Sequence, residues 1–206
     1  ALTGASSAAG ISGVGSAYRH QFAPVDSNWQ NDSPLPAYTF QVNRDVDTSW
    51  QLTDVQIRRL ELAIAQGGIL RATANVVART TSLMTKTTAS FTTRPPWTWD
   101  QCSVSLGGAA YAEIENMTIV IDQQIAGIPT LDGTRRVSRF RREGFVQVRV
   151  NGTIDFKVNS EWVTFKNQTE QRMVLRFAPS ATSAIDILTI DLPLMRYEAF
   201  PGGVGG

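Results

Sequence analysis

The chain has 206 residues, a formal net charge of +1 and 42% hydrophobic residues. That length can bury a sizeable core, the near-neutral charge argues against a dedicated nucleic-acid binder, which is usually strongly basic, and no apolar run approaches the roughly 20 residues of a membrane helix. Its single cysteine, Cys102, excludes an intrachain disulfide and a thiolate metal cluster, and it suits assembly in a reducing cytoplasm.

Residues 1–15 are mostly Gly, Ser and Ala and read as a flexible arm. They lack the basic segment and apolar stretch of a secretion signal, and the chain carries no initiator Met. A short strand is predicted over 17–22, and 28–36 (NWQNDSPLP) is turn-rich. Residues 37–43 alternate Tyr38, Phe40 and Val42 against Thr39 and Gln41, the period of a strand. The stretch 53–68 is ambiguous. Thr53 can cap a helix and Gly67 can end it, with Ile57, Leu60 and Ile64 on one helical face. Read as a strand, Val55 and Ile57 fall on one parity and Leu60, Leu62 and Ile64 on the other, which demands a bulge near Arg58 and Arg59. The residues alone slightly favour the helix.

Residues 69–78 are β-branched and alternating, a strand. The Thr- and Ser-rich 80–93 reads as a long loop or an edge strand. Strands follow over 97–106 and around Met117, Ile119 and Ile121, then a loop over 127–133 (GIPTLDG).

In 145–157 (FVQVRVNGTIDFK) Val146, Val148, Val150, Gly152, Ile154 and Phe156 share one parity, and Gln147, Arg149, Asn151, Thr153, Asp155 and Lys157 the other. Asn151-Gly152 is a strong hairpin signal, but a two-residue hairpin would set Val150 against Thr153 and Val148 against Asp155. A single strand keeps the apolar face unbroken, so one long strand is expected, with Gly152 a bend or bulge. Asn159 or Ser160 can cap a short helix bearing Glu161 in its first turn and Trp162 and Phe165 on one face. Strands are expected over 172–177 and 186–192, with 195–200 as one more, before a flexible end at 202–206. Many short strands with one short helix make a mainly β, antiparallel, single domain.

Catalytic constellations are weak. His20, the one histidine, has Asp26 near it in sequence but nothing to fix a triad, and a histidine zinc site needs more than one ligand. Walker, dinucleotide and nucleophile-elbow patterns do not occur. No catalytic, cofactor or metal residue is assigned. Trp97 and Trp99 share a parity beside Asp100 and Gln101, as in a sugar-stacking platform, although such pairs more often fill a core or interface. The densest charge is in 134–142 (TRRVSRFRR). Arg135, Arg136, Arg139, Arg141 and Arg142 suit carboxylates of a neighbouring subunit first, a solvated loop second and phosphates third.

From about Tyr18 to Pro201 the chain resembles the major tail tube proteins of long-tailed, non-contractile bacteriophages. The residues that carry this are SPLPAYTFQVNRD (33–45), QIRRLELAIA (56–65), WTWDQCSVSLGGAAY (97–111), MTIVIDQQIAGIPTLDGTRR (117–136), VRVNGTIDF (148–156) and FKNQTEQRMVLRF (165–177). The resemblance implies an antiparallel β-sandwich or half-barrel with one short flanking helix, and on its strength 53–66 is taken as strand. It also implies a non-enzymatic virion protein without cofactors, assembled in the host cytoplasm. Hexameric rings would stack into a hollow tail tube around a tape-measure protein, conduct DNA, and meet a tail terminator at one end and baseplate or tip proteins at the other, with no membrane involved. The alternative from another class is a carbohydrate-binding β-sandwich using Trp97 and Trp99.

Overall fold

A computed structural model describes residues 2–7, 19–24, 37–43, 48–88, 90, 94–129, 136–155, 160–179 and 186–199. The described chain is mainly β. In order, the strands are β1 (Leu2–Ser7), β2 (Arg19–Pro24), β3 (Tyr38–Asn43), β4 (Thr48–Ala65), β5 (Arg71–Thr85), β6 (Cys102–Leu106), β7 (Ala109–Ala110), β8 (Ile114–Asp122), β9 (Ile125–Pro129), β10 (Val137–Arg142), β11 (Gln147–Ile154), β12 (Gln171–Phe177) and β13 (Leu188–Met195). One α-helix among the described residues, α1 (Ser160–Lys166), lies between β11 and β12.

The strands form a sheet in the order β11-β8-β4-β3 with β5 also on β4, a four-stranded sheet β13-β12-β6-β7, and the pairs β1-β2 and β10-β9. The β3-β4, β12-β13, β12-β6, β10-β9 and β1-β2 pairings are antiparallel. Contacts gather into two compact units: Ala1–Leu62, Arg71–Arg94 and Thr118–Val150 in the first, and Ala63–Leu70, Pro95–Met117 and Asn151–Gly206 in the second. Strands β4, β8 and β11 have residues in both.

The core of the first unit is Val55, Ile119, Val120 and Ile125, with Ser49, Gln56 and Gln123 buried beside them. In the second it is Ile64, Ile114, Met117, Met173, Leu175, Phe177 and Ala178. Met173, Leu175 and Phe177 alternate along β12, the inward parity of a strand with one covered face.

Residues 53–65 are strand, because β4 is held along its length by three neighbours, β3, β5 and β8. An irregularity of β4 lies against β3, N-terminal to Arg58 and Arg59. The register slips between Tyr38 opposite Val55 and Phe40 opposite Leu52, and Asp54 sits in the left-handed region at φ 51°. An extra residue in one strand of a pair is a β-bulge, and Asp tolerates that conformation better than a branched residue. The 80–85 stretch is part of β5, and β5 follows β4 across Gly67, whose φ of 68° suits glycine.

Other expectations are corrected. Residues 2–7 of the expected arm form β1, since backbone pairing needs no large side chains; 8–15 and 202–206 lie outside the described residues. Residues 127–129 are the end of β9 rather than loop, and 196–199 are not strand. The long strand is confined to Gln147–Ile154, unbroken through Asn151-Gly152. Gly152 is there for space: a Cβ on it would stand 2.6 Å from the Asn116 carbonyl oxygen on β8, closer than atoms pack.

Candidate subunit interface

Strand β3 and the first half of β4 have an unusual distribution of polarity. In register, Asn43 faces Ser49 and Gln41 faces Gln51. Hydrogen bonds tie this polar face together, although Asn43 is itself exposed. Ser49 is fully buried and its hydroxyl donates to Asn43 Oδ1 at 2.5 Å. Thr87 Oγ1 donates to Gln41 Oε1 at 2.6 Å, and Asn43 Nδ2 donates to the Thr87 carbonyl at 3.4 Å. The opposite face carries Phe40 against Leu52 and Val42 against Trp50, with the Tyr38 ring 6.4 Å from that of Phe40. This apolar face is open: Tyr38, Phe40, Val42 and Trp50 are 37–43% exposed. Sequence alternation identified the apolar parity but could not show that its side chains stay this exposed.

A second exposed stretch is β5. Its 15 residues alternate small side chains (Ala72, Ala74, Ala78) with Arg71, Thr73 and Asn75, and most are exposed, Leu83 strongly so. Arg79 reaches Asp54 at 3.4 Å.

The arginine segment is a strand of its own, β10, paired with β9 so that Arg139 faces Ile128 and Arg141 faces Ala126. Alternation divides the arginines. Arg139 and Arg141 project from one exposed face, and Arg141 lies 3.5 Å from Glu143. Ser138, Phe140 and Arg142 form the half-buried face, where burial lowers the pKa of Arg142. Arg136 is exposed just before the strand, and Arg135 lies outside the described residues. The five therefore do not make one patch; the exposed set is Arg136, Arg139 and Arg141. Val137 packs over Gly127, where a Cβ would meet its methyls at 2.9 and 3.0 Å.

In the second unit, Trp97 is committed to packing. Its indole donates to the Asp186 carbonyl at 3.0 Å, and its ring lies 6.4 Å from that of Phe177. Trp99 starts a 3-10 turn. The paired platform that sugar stacking needs is absent at Trp97. Helix α1 is anchored by the Tyr111 hydroxyl, which donates to Glu161 Oε1 at 3.3 Å. Burial, then the Glu161 carboxylate, pushes the Tyr111 pKa well above its ordinary value. On the helix, the Trp162 and Phe165 rings stand 5.5 Å apart, as their spacing predicts. A shallow apolar groove of about 270 Å³ is lined by Trp99, Cys102, Val104, Tyr111, Ile114 and Met117. It is below the usual size of a ligand pocket, and burial raises the pKa of Cys102 to about 11, which leaves it a poor nucleophile. His20 falls on β2, and Asp26 lies outside the described residues. Among the described residues no group of three or more His, Cys, Asp or Glu is placed to hold a metal ion.

What these features share is surface suited to other protein chains, and comparison with known families decides which kind. The profile of the family described as Phage tail tube protein matches residues 1–205. The chain belongs to the phage tail tube protein family. A search of curated individual proteins finds no match. As a tail tube protein it is a structural component of the virion tail, and its open β3-β4 face, exposed β5 strand and β10 arginines are candidate contacts with other tail subunits. No helix among the described residues is long and apolar enough to cross a membrane.

Proposed function

We propose that this tail tube protein assembles with itself into hexameric rings that stack as the conduit for DNA in a non-contractile tail, and that it does so without enzymatic activity. The reading is supported most by the apolar face of Tyr38, Phe40, Val42 and Trp50, which is 37–43% exposed while Ser49 behind it is fully buried and hydrogen-bonded to Asn43. A protein that lives as a monomer gains nothing from a contiguous exposed apolar face, whereas a subunit buries it against a neighbour. The exposed side chains of β5, whose strand partner among the described residues is β4, support the same reading, because an exposed strand invites a neighbouring chain and ring closure covers it. The whole chain acts as one tail-tube domain, a reading favoured by the three strands that run through both contact units. In the virion its neighbours are a tape-measure protein and DNA inside the tube, with a terminator and baseplate or tip proteins at the ends, after assembly in the host cytoplasm.

The exposed arginines Arg136, Arg139 and Arg141, together with Arg135 and Arg142, serve subunit contacts rather than DNA. The two-stranded ribbon that carries Arg139, Arg141 and Arg142 is not a basic groove, and arginine's planar fork suits carboxylates across an interface.

Electron microscopy of the purified chain tests the proposal. Rings or hollow tubes are expected. Phe40→Ser with Trp50→Ser should leave the protomer folded, since both side chains are already part-exposed, and should abolish the tubes. Dispersed monomers of the wild-type chain at high concentration, or normal tubes from the double variant, would overturn it.

A further inference from the structure

Asn151-Gly152, a hairpin signal by composition, lies within a strand as its alternation predicts, and its own chemistry remains to be placed. Both residues are exposed in β11, which stands at the end of its sheet with β8 as its one neighbour in the strand order. Gly152 cannot acquire a side chain, because a Cβ would meet the Asn116 carbonyl at 2.6 Å. The fold thus fixes glycine after an exposed asparagine, the pairing in which the following amide nitrogen is least shielded.

We propose that Asn151 is a latent self-modification site that the pairing of β11 with β8 holds shut. The Gly152 amide nitrogen loses its proton and bonds to Asn151 Cγ. The Cγ–Nδ2 bond breaks, and ammonia leaves with that proton, closing a five-membered succinimide. Water then adds to one of the two ring carbonyl carbons, that carbon's bond to the ring nitrogen breaks, and the nitrogen is reprotonated. The net change is one water in and one ammonia out, leaving aspartate or isoaspartate at 151. Ring closure requires the Asn151 backbone to rotate far from the extended ψ of a strand, so it proceeds only when β11 opens. An edge strand held by one ladder opens locally, at less than the cost of global unfolding.

The product matters to the fold. Either acid takes the chain from a net charge of +1 to neutral. Isoaspartate also inserts a methylene into the main chain beside the close contact with Asn116, so the strand beyond it no longer matches β8.

The test incubates the full chain in mildly alkaline buffer, folded and in urea, and follows acidic bands by isoelectric focusing and the mass gain of amide-to-acid conversion in the peptide containing Asn151. The unfolded chain is expected to convert at Asn151, and the folded chain at least about tenfold more slowly, the factor set by the opening equilibrium of the strand. Asn151→Gln, which would need a strained larger ring, should remove the acidic band in urea without moving the melting temperature. Equal rates for folded and unfolded chain, no conversion in urea, or an acidic band that persists in the glutamine variant would each overturn the proposal.

Discussion

Phe177 is fully buried, with the Trp97 ring against it, whereas Val150 on β11 is only half-buried and Val148 is 41% exposed. The two sites should respond very differently to substitution. Phe177→Ala removes a fully packed ring and is expected to cost about 3–5 kcal/mol, read as a large drop in denaturant midpoint. Val150→Asp places a charge on a part-open face, and its expected cost is about 1–2 kcal/mol, less than sequence parity implies; a loss equal to that of Phe177→Ala would refute the half-buried assignment. Titration offers another test at this scale. The folded-state pKa values of Cys102 and Tyr111 are both raised, first by burial and for Tyr111 next by Glu161. A raised pKa means that the folded state holds the proton more tightly than the unfolded state, so the associated stability is intact below the ordinary value and is lost as pH rises through the folded one. For Cys102 that window runs from 9.0 to about 11; for Tyr111 it begins at 10.0. Melting temperature should fall through this range, and Cys102→Ala and Tyr111→Phe should each flatten the fall. Identical alkaline profiles in all three proteins would show that neither group is held neutral by the fold.

At the level of elements, the arginine strand gives the clearest prediction. Arg139 and Arg141 share an exposed face, with the Arg141–Glu143 contact at 3.5 Å alongside, and exposed ion pairs are weak one by one. Replacing Arg139, Arg141 and Arg142 with Ser should shift the melting temperature by a few degrees at most, chiefly through Arg142, which is half-buried. It should also suppress tube growth, and raised salt should partly mimic the defect in the wild type. Normal sedimentation of tubes from the variant at every salt concentration would remove the arginines from the interface. Much of this level was legible in the residues. Alternation identified β3, β8, β11 and β12, because each has one covered or one apolar face, and the Trp162–Phe165 spacing identified α1. The strand character of β4 was legible from the family resemblance but not from the residues alone, since its Leu and Ile spacing satisfies a helix as well; pairing with β3, β5 and β8 makes it a strand. The bulge at Asp54 was not legible, since it depends on where β3 changes register. β9 was hidden by its Gly and Pro, which in Gly127 admit the Val137 side chain rather than make a turn.

For the whole molecule, family and site stand in different relations to the sequence. The family was legible because its similarity is spread along the chain, and the profile match over 1–205 agrees. The candidate interface was only half legible: the arginines are conspicuous as a run, but that Arg142 turns away from Arg139 and Arg141 follows from β10 being a strand, and the exposure of the β3-β4 face follows from packing that alternation does not encode. Charge is also unevenly divided. Arg and Lys outnumber Asp and Glu in the first contact unit, and the reverse holds in the second, so the net charge of +1 conceals two regions of opposite sign. Association between unlike regions of separate copies should therefore weaken as salt rises, which light scattering across a salt series will register; a rate of association that rises with salt would contradict it.

The open face of Tyr38, Phe40, Val42 and Trp50 also has a thermal consequence. Removing apolar surface from water lowers the heat capacity, and near room temperature the driving force is almost wholly entropic, so it fades on cooling. Tubes closed through this face should loosen in the cold and re-form on warming, with a negative heat-capacity change in calorimetry that shrinks when Phe40 and Trp50 are replaced by Ser. Chilled subunits would then form a reservoir that temperature alone can release.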